Sequence, residues 1–200
     1  MAIDLVRYTI GVDLGKQRNH TAMAVMKREW HQATVQEFIA SGTQGYQGEY
    51  RYTLVGADRL ALGTPYPTVV QWVKSIAEPL GADLGSIVVD ATGLGSAVMD
   101  EFRKVRMPVR VQGIVITGDQ AVGGLGGTTS AGFRTVSRTE LLTKLQLMIQ
   151  TKAFAVDRPR CREWEALRKE LSLLRLDRKG PGQDDLALAL ALAIWWGMRL

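Results

Sequence analysis

The spacing of apolar and polar positions changes period along the chain, and each change marks an element. Tyr8, Ile10 and Val12 alternate with Thr9, Gly11 and Asp13, the two-residue period of a strand. After a polar turn at Lys16 to His20, Thr21 to Met26 reads as a second strand. A third is expected around Val35 to Ile39 and another over Tyr52 to Leu62, with a Gly-, Gln- and Tyr-rich loop from Ser41 to Tyr50. Such short spacing predicts antiparallel neighbours. Val69, Val70, Val73, Ile76, Ala77 and Leu80 then recur at helical spacing, between the prolines at 65 and 67 and Gly81. Ser86 to Asp90 is a short strand whose unbroken Ile87, Val88 and Val89 suit burial on both faces. Leu94, Ala97, Val98, Phe102 and Val105 mark an amphipathic helix, and Val109 to Ile116 returns as a strand. This alternation predicts parallel pairing through right-handed crossovers.

The stretch Gly118 to Gly132 carries glycines at 118, 123, 124, 126, 127 and 132. No side-chain pattern packs it, so it reads as a mobile connection or an element that follows a polyanion. Ser137 and Glu140 form an S-x-x-E capping box ahead of a helix striped by Leu141, Leu142, Leu145, Met148 and Ile149. Ala153 to Val156 suits a short edge strand, and Pro159 opens a helix with Trp164, Leu167, Leu171 and Leu174 on its face. Arg178 to Gly182 breaks the chain before the last element. There Leu186, Leu188, Leu190 and Leu192 alternate with alanines, a strand period written in strong helix formers. With no β-branched residue before Ile194, helix is expected, its alanines allowing a close approach to a neighbour. No internal repeat or linker interrupts the chain. The expectation is one α/β domain over 1–200, its mixed sheet antiparallel through the first three strands, parallel later, and flanked by helices.

Composition narrows the function classes. Apolar residues at 46% and charged residues at 22% are ordinary for a soluble globular chain of 200 residues. One cysteine, Cys161, allows no internal disulfide and fits a reducing, cytoplasmic setting. His20 and His31 are the only histidines, which excludes a His/Cys zinc site. The start MAIDLVRY lacks the features of a signal peptide, and the longest apolar run, Leu186 to Met198, is too short to span a bilayer. Net charge is +5, with basic groups at Lys16/Arg18, Arg103/Lys104/Arg106/Arg110, Arg134/Arg138 and Arg158/Arg160/Arg162. That balance suits a polyanionic partner.

Against this basic background the carboxylates stand out. Asp13 ends an apolar strand, where burying it is costly unless a cation neutralises it. The glycines at 11 and 15 are expected to leave open space beside it. Asp90 ends IVVD, and Asp184–Asp185 head the last helix. Taken alone, Asp13 could merely start a turn; three acidic sites at the edges of distant buried elements call for a metal. Magnesium needs few protein ligands beyond hard oxygens, and two ions about 3.5–4 Å apart can activate water and stabilise a leaving 3′ oxygen. Asp13 is the natural bridging ligand, with Asp90 completing one ion's shell and the final helix the other. Asp184 and Asp185 project about 100° apart, so only one points fully at the metals, and Asp185 is preferred.

The segments IGVDLG…HTAMAV, LGTPYP, IVVDATGLGSAVMDEFR, VSRTELLTKLQLMIQTKAFAV and QDDLALALALAIW follow in an order that resembles the nuclease domain of phage terminase large subunits. The resemblance covers nearly the whole chain. It implies a ribonuclease H-like fold related to Holliday-junction resolvases, and a Mg²⁺- or Mn²⁺-dependent endonuclease that cuts double-stranded DNA during packaging. Matched by motif, Asp13, Asp90, Asp184 and Asp185 fall on that family's metal positions. Lys16, Arg18, Arg134 and Arg138 would contact DNA, and phage packaging proteins would be partners. Arg138 stands where the family often has Lys; Gln183 stands where a His often precedes the aspartates, and the segment from Leu176 to Gln183 is short. Nothing matches G-x-x-x-x-G-K-[ST], so no ATPase domain and no ATP use are expected, whether the chain is excised or stands alone.

Other readings compete. A junction resolvase or a non-catalytic DNA-binding relic shares much of the pattern. IGVDLG also reads like the phosphate loop of actin and sugar kinases, which need two such domains. VVDATGLGSAV imitates a dinucleotide fingerprint, but Val98 stands where the third glycine belongs. Gly93 and Gly95 are instead expected to clear room beside Asp90. Asp100, Glu101, Glu163 and Glu165 read as solvated helix faces, Asp119 as an outer contributor at most, and Trp72, Trp164, Trp195 and Trp196 as core or rim.

Overall fold

A computed structural model describes residues 6–15, 19–42, 48–93, 95–118, 128–129, 132–174 and 184–199. Lys16, Arg18, Leu94, Asp119, Gln183, the break at 178–182 and most of the glycine-rich stretch lie outside the described residues. Among the described residues, seven strands form one sheet: β1 (Val6–Asp13), β2 (Ala22–Gln32), β3 (Gly48–Arg59), β4 (Leu84–Asp90), β5 (Val111–Thr117), β6 (Arg134–Ser137) and β7 (Phe154–Val156), in the order β6-β5-β4-β1-β2-β3-β7. β1, β2 and β3 pair antiparallel, whereas β1–β4, β4–β5, β5–β6 and β3–β7 pair parallel. The mixed sheet is the one expected.

The described residues also form α-helices α1 (Val35–Ser41), α2 (Tyr66–Ala77), α3 (Gly95–Lys104), α4 (Arg138–Gln150), α5 (Trp164–Leu173) and α6 (Asp185–Gly197). Strand alternation divides the core in two. Ile10 and Val12 of β1 join Met23, Val25, Ile87 and Val89 under Val70 and Val73 of α2 and Val98 and Phe102 of α3. On the other face, Ala22, Ala24, Leu54 and Val88 pack with α4, α5 and α6.

α6 is buried along its whole length. Its row Asp185, Ala189, Ala193 and Gly197, four residues apart, lies along one face of the helix. Gly11 meets that row directly: a Cβ there would stand 2.1 Å from the Ala189 carbonyl oxygen and 2.7 Å from the Ala193 nitrogen. At the far end a Cβ on Gly197 would reach Thr9 Oγ1 at 3.1 Å. The buried guanidinium of Arg28 closes this end by donating to the Gly197 carbonyl at 3.3 Å. The alternating Leu–Ala pattern thus serves a helix set backbone-close on β1.

Several expectations are corrected. Val35 to Ile39 is not a strand but the body of α1, because Thr34 and Glu37 form a reciprocal capping box. Thr34 Oγ1 accepts from the Glu37 amide at 3.3 Å, and Glu37 accepts from the Thr34 amide at 2.9 Å. The third strand is β3 instead, which begins at Gly48 inside the expected loop. β6 pairs parallel to β5 where no strand was expected. The Ser137 box is only half formed: its hydroxyl accepts from the Glu140 amide, but the Glu140 carboxylate accepts from Trp195 Nε1 at 2.6 Å and from Arg199. Nor do the first glycines leave open space. α6 fills the site of a Gly11 side chain, and the Asn19 carbonyl lies 2.2 Å from where a Gly15 Cβ would be.

Candidate functional site

β1 and β4 end together. Their register pairs Val12 with Val89, so Asp13 and Asp90, one residue further on each, leave the sheet at the same edge. Beyond Asp90 the chain turns sharply, with the Thr92 amide donating to Asp90 Oδ1 at 2.7 Å and Gly93 at φ +70°. Asp13 shares the face of Gly11, so the α6 row that seats on Gly11 brings the helix N-terminus to it. Asp184 caps that helix by position and Asp185 opens it.

The sequence-predicted carboxylates are therefore brought together, in different settings. Asp13 is only 8% exposed and Asp185 1%. Asp184 accepts a hydrogen bond from Arg138 Nη2. Asp185 lies deeper, its Oδ2 accepting from the His20 amide at 3.0 Å. Burial pushes the Asp13 carboxyl well above its ordinary range, and the charges of Asp90, Asp185 and Asp184 push it further, opposed by Arg138. Burial also raises Asp185, with the His20 amide working against it. Asp13, Asn19, Asp90, Thr92, Thr117, Arg138 and Asp184 line a cavity of about 390 Å³. A larger one, about 700 Å³, lies between α3 and the starts of β5 and β6, with no carboxylate among the described residues that line it.

Among the described residues, no three carboxylate, His or Cys side chains converge on one point as a metal's ligands do. Asp90, Asp184 and Asp185 are instead turned onto Thr92, Arg138 and His20. The basic residues divide as well. Arg138 is 17% exposed and committed to Asp184, whereas Arg134 is exposed and lies over the Trp196 ring at 5.4 Å.

Sequence reasoning missed the support behind Asp185. Glu170 of α5 is 8% exposed, and its Oε2 accepts from the Ala187 amide at 2.9 Å. Arg59 bridges Glu163 at 3.0 Å and Glu170 at 3.6 Å, so Glu163 is not a plain solvated acid. The signal was present: Glu170 sits three residues after Leu167 and four before Leu174, on the apolar stripe of its helix.

Burial raises the Glu170 carboxyl from 4.5 to about 7. The folded state therefore holds this proton more tightly than the unfolded chain. The resulting stability is complete below pH 4.5 and is lost as pH rises through about 7. The metal-free protein should melt higher at pH 5.5 than at pH 8, and Glu170→Gln should shrink that difference by on the order of 2 kcal/mol. An equal pH dependence in parent and variant, measured by thermal unfolding, would contradict this.

No protein-family profile matches the chain, and no curated protein matches it in sequence. Solved structures do. The chain is similar to the large terminase nuclease of thermophilic phage G20c at 18% identity and a TM-score of 0.53, over 94% of this chain and 81% of that one. It is similar to the human cytomegalovirus terminase nuclease domain at 12% identity and a TM-score of 0.58, over 97% and 85%. An Mn-soaked structure of that viral domain matches at 12% identity and a TM-score of 0.57, over 97% and 85%. At these identities the likeness is one of fold, and it agrees with the sheet order and the flanking helices described above. The chain has the ribonuclease H-like fold of the viral terminase nuclease domains.

Proposed function

We propose that the chain is a metal-dependent endonuclease that cuts double-stranded DNA, of the kind that acts in phage DNA packaging. One observation carries this reading: a nearly buried aspartate at the end of the central strand feels the charge of three more carboxylates, with Arg138 as the cation opposing them at Asp13 among the described residues. Such a cluster is short of positive charge, and an all-oxygen donor set beside an open cavity suits a hard divalent cation. The fold shared with an Mn-soaked viral nuclease domain supports it.

In this reading Asp13, Asp90, Asp184 and Asp185 would hold two Mg²⁺ or Mn²⁺ ions. When bound, the ions would supply a nucleophilic water and charge stabilisation at the phosphate. The chain's own contributions are positional. β1 and β4 fix two carboxylates at one sheet edge, and α6 delivers the other two. Arg138 pairs with Asp184 and partly offsets the charge felt by Asp13. The exposed Arg134, with Lys16 and Arg18, would meet the DNA backbone.

Supercoiled plasmid incubated with Mg²⁺, with Mn²⁺ and with EDTA tests the proposal. Nicked or linear product is expected with either ion and none with EDTA. Intact plasmid under all three conditions would overturn it. We further expect no ATP hydrolysis, because the sequence carries no phosphate-binding lysine loop. Phosphate release above a buffer blank from pure material would contradict that.

A further inference from the structure

α6 begins with two aspartates, either of which could cap it. A helix leaves its first amides without partners, and an aspartate at the N-cap ordinarily accepts one from the third helical residue. Asp184 occupies the N-cap and makes no such bond. The amide in question belongs to Ala187, and it donates to Glu170 Oε2 at 2.9 Å, from a different helix. The other oxygen of Glu170 is buried without a hydrogen bond among the described residues and faces Arg59 Nη1 at 3.6 Å. Arg59 is tied in turn to Glu163 at 3.0 Å. A carboxyl group is expensive to bury, so its place under the helix end is not incidental.

The geometry points to Glu170 as a positioning residue of the acidic site: it takes over the capping of α6 and releases Asp184 and Asp185 from that role, Asp184 to the cavity wall and Asp185 to the buried position behind it. The consequence reaches both aspartates. Asp184 turns to Arg138 at the cavity wall, and Asp185 turns to the His20 amide. Without the remote cap, the first turn of α6 would draw on its own aspartates for acceptors. One of them would then swing away from Asp13. Residues that orient ligands from behind typically change metal affinity by about 10- to 100-fold when lost.

This inference rests on the endonuclease reading only for its metal arm, so the test has two parts. The first is residue-resolved amide hydrogen exchange on the metal-free protein, comparing the parent with Glu170→Met, Glu170→Asp and Glu170→Gln. Methionine removes the acceptor at similar volume, aspartate keeps the carboxyl group but shortens the reach, and glutamine keeps an acceptor. The Ala187 and His20 amides should both exchange at least about tenfold faster in Glu170→Met and Glu170→Asp, and return towards parent rates in Glu170→Gln. Should Glu170→Met fail to fold, Glu170→Asp carries the comparison. Faster exchange at Ala187 with His20 unchanged would overturn the proposal, because Asp185 would then keep its place without Glu170. The second part is the Mn²⁺ concentration giving half the maximal thermal shift. It should rise by about tenfold or more in Glu170→Met and stay within about threefold in Glu170→Gln. A variant that merely melts lower with an unchanged midpoint would also overturn it. A parent that shows no Mn²⁺ response would sink the endonuclease reading alone, since the exchange result still decides the role of Glu170.

Discussion

Asp13→Asn is expected to leave the metal-free protein as stable as the parent, or more stable by about 1 kcal/mol, while removing most of its stabilisation by Mn²⁺. The reason lies in what surrounds the carboxylate. Asp13 is 8% exposed and faces Asp90, Asp185 and Asp184, with Arg138 as the opposing charge. Its ionised form is disfavoured in the fold, so an amide of the same shape relieves repulsion at little packing cost. A bound cation reverses the balance, since a ligand that binds only the folded state raises its stability. A structural Asp13 would behave oppositely, with lower metal-free stability and an intact Mn²⁺ shift. Melting temperatures of parent and variant, with and without Mn²⁺, separate the two.

Gly11→Ala should destabilise the protein by about 3 kcal/mol, a large effect for one methyl group. The new Cβ would lie 2.1 Å from the Ala189 carbonyl oxygen, and backbone cannot rotate aside as a side chain can. α6 must lift from β1, and every residue of the helix is buried against its surroundings. The displacement also separates Asp185 from Asp13, so metal-induced stabilisation should fall with stability. Urea unfolding measures the first effect. A loss below about 0.5 kcal/mol would mean that the helix does not rest on this strand as described.

How far the sequence disclosed this arrangement depends on the range of the signal. The strand carrying Asp13, the strand ending in Asp90 and the helices after Pro67 and Ser137 were legible because local period and caps agree with tertiary burial. α6 was legible only through propensity, its leucine alternation pointing to a strand until Leu and Ala are recognised as helix formers. α1 was misread because the Thr34–Glu37 box was passed over for its apolar neighbours, whose Val35 and Ile39 are 75% and 70% exposed. β6 is four residues long and gains its identity from pairing with β5, which no local pattern announces. At the site, the approach of Asp13, Asp90 and Asp184 to one cavity was readable from residue type and position, but not that Asp184 rather than the preferred Asp185 lines it. The support behind Asp185 was not readable, because the partner of the Ala187 amide is an acid seventeen residues earlier, on another helix. The space beside Asp13 was misjudged for the same reason: a glycine signals close approach without saying what approaches.

The most direct test of the central claim is the rate at which Asp13→Asn cuts supercoiled plasmid at a saturating Mn²⁺ concentration, relative to the parent. A loss of at least about 100-fold is expected in a variant that remains folded. Cleavage at the parent rate would contradict it, because the carboxylate at the centre of the cluster would then have no part in the chemistry.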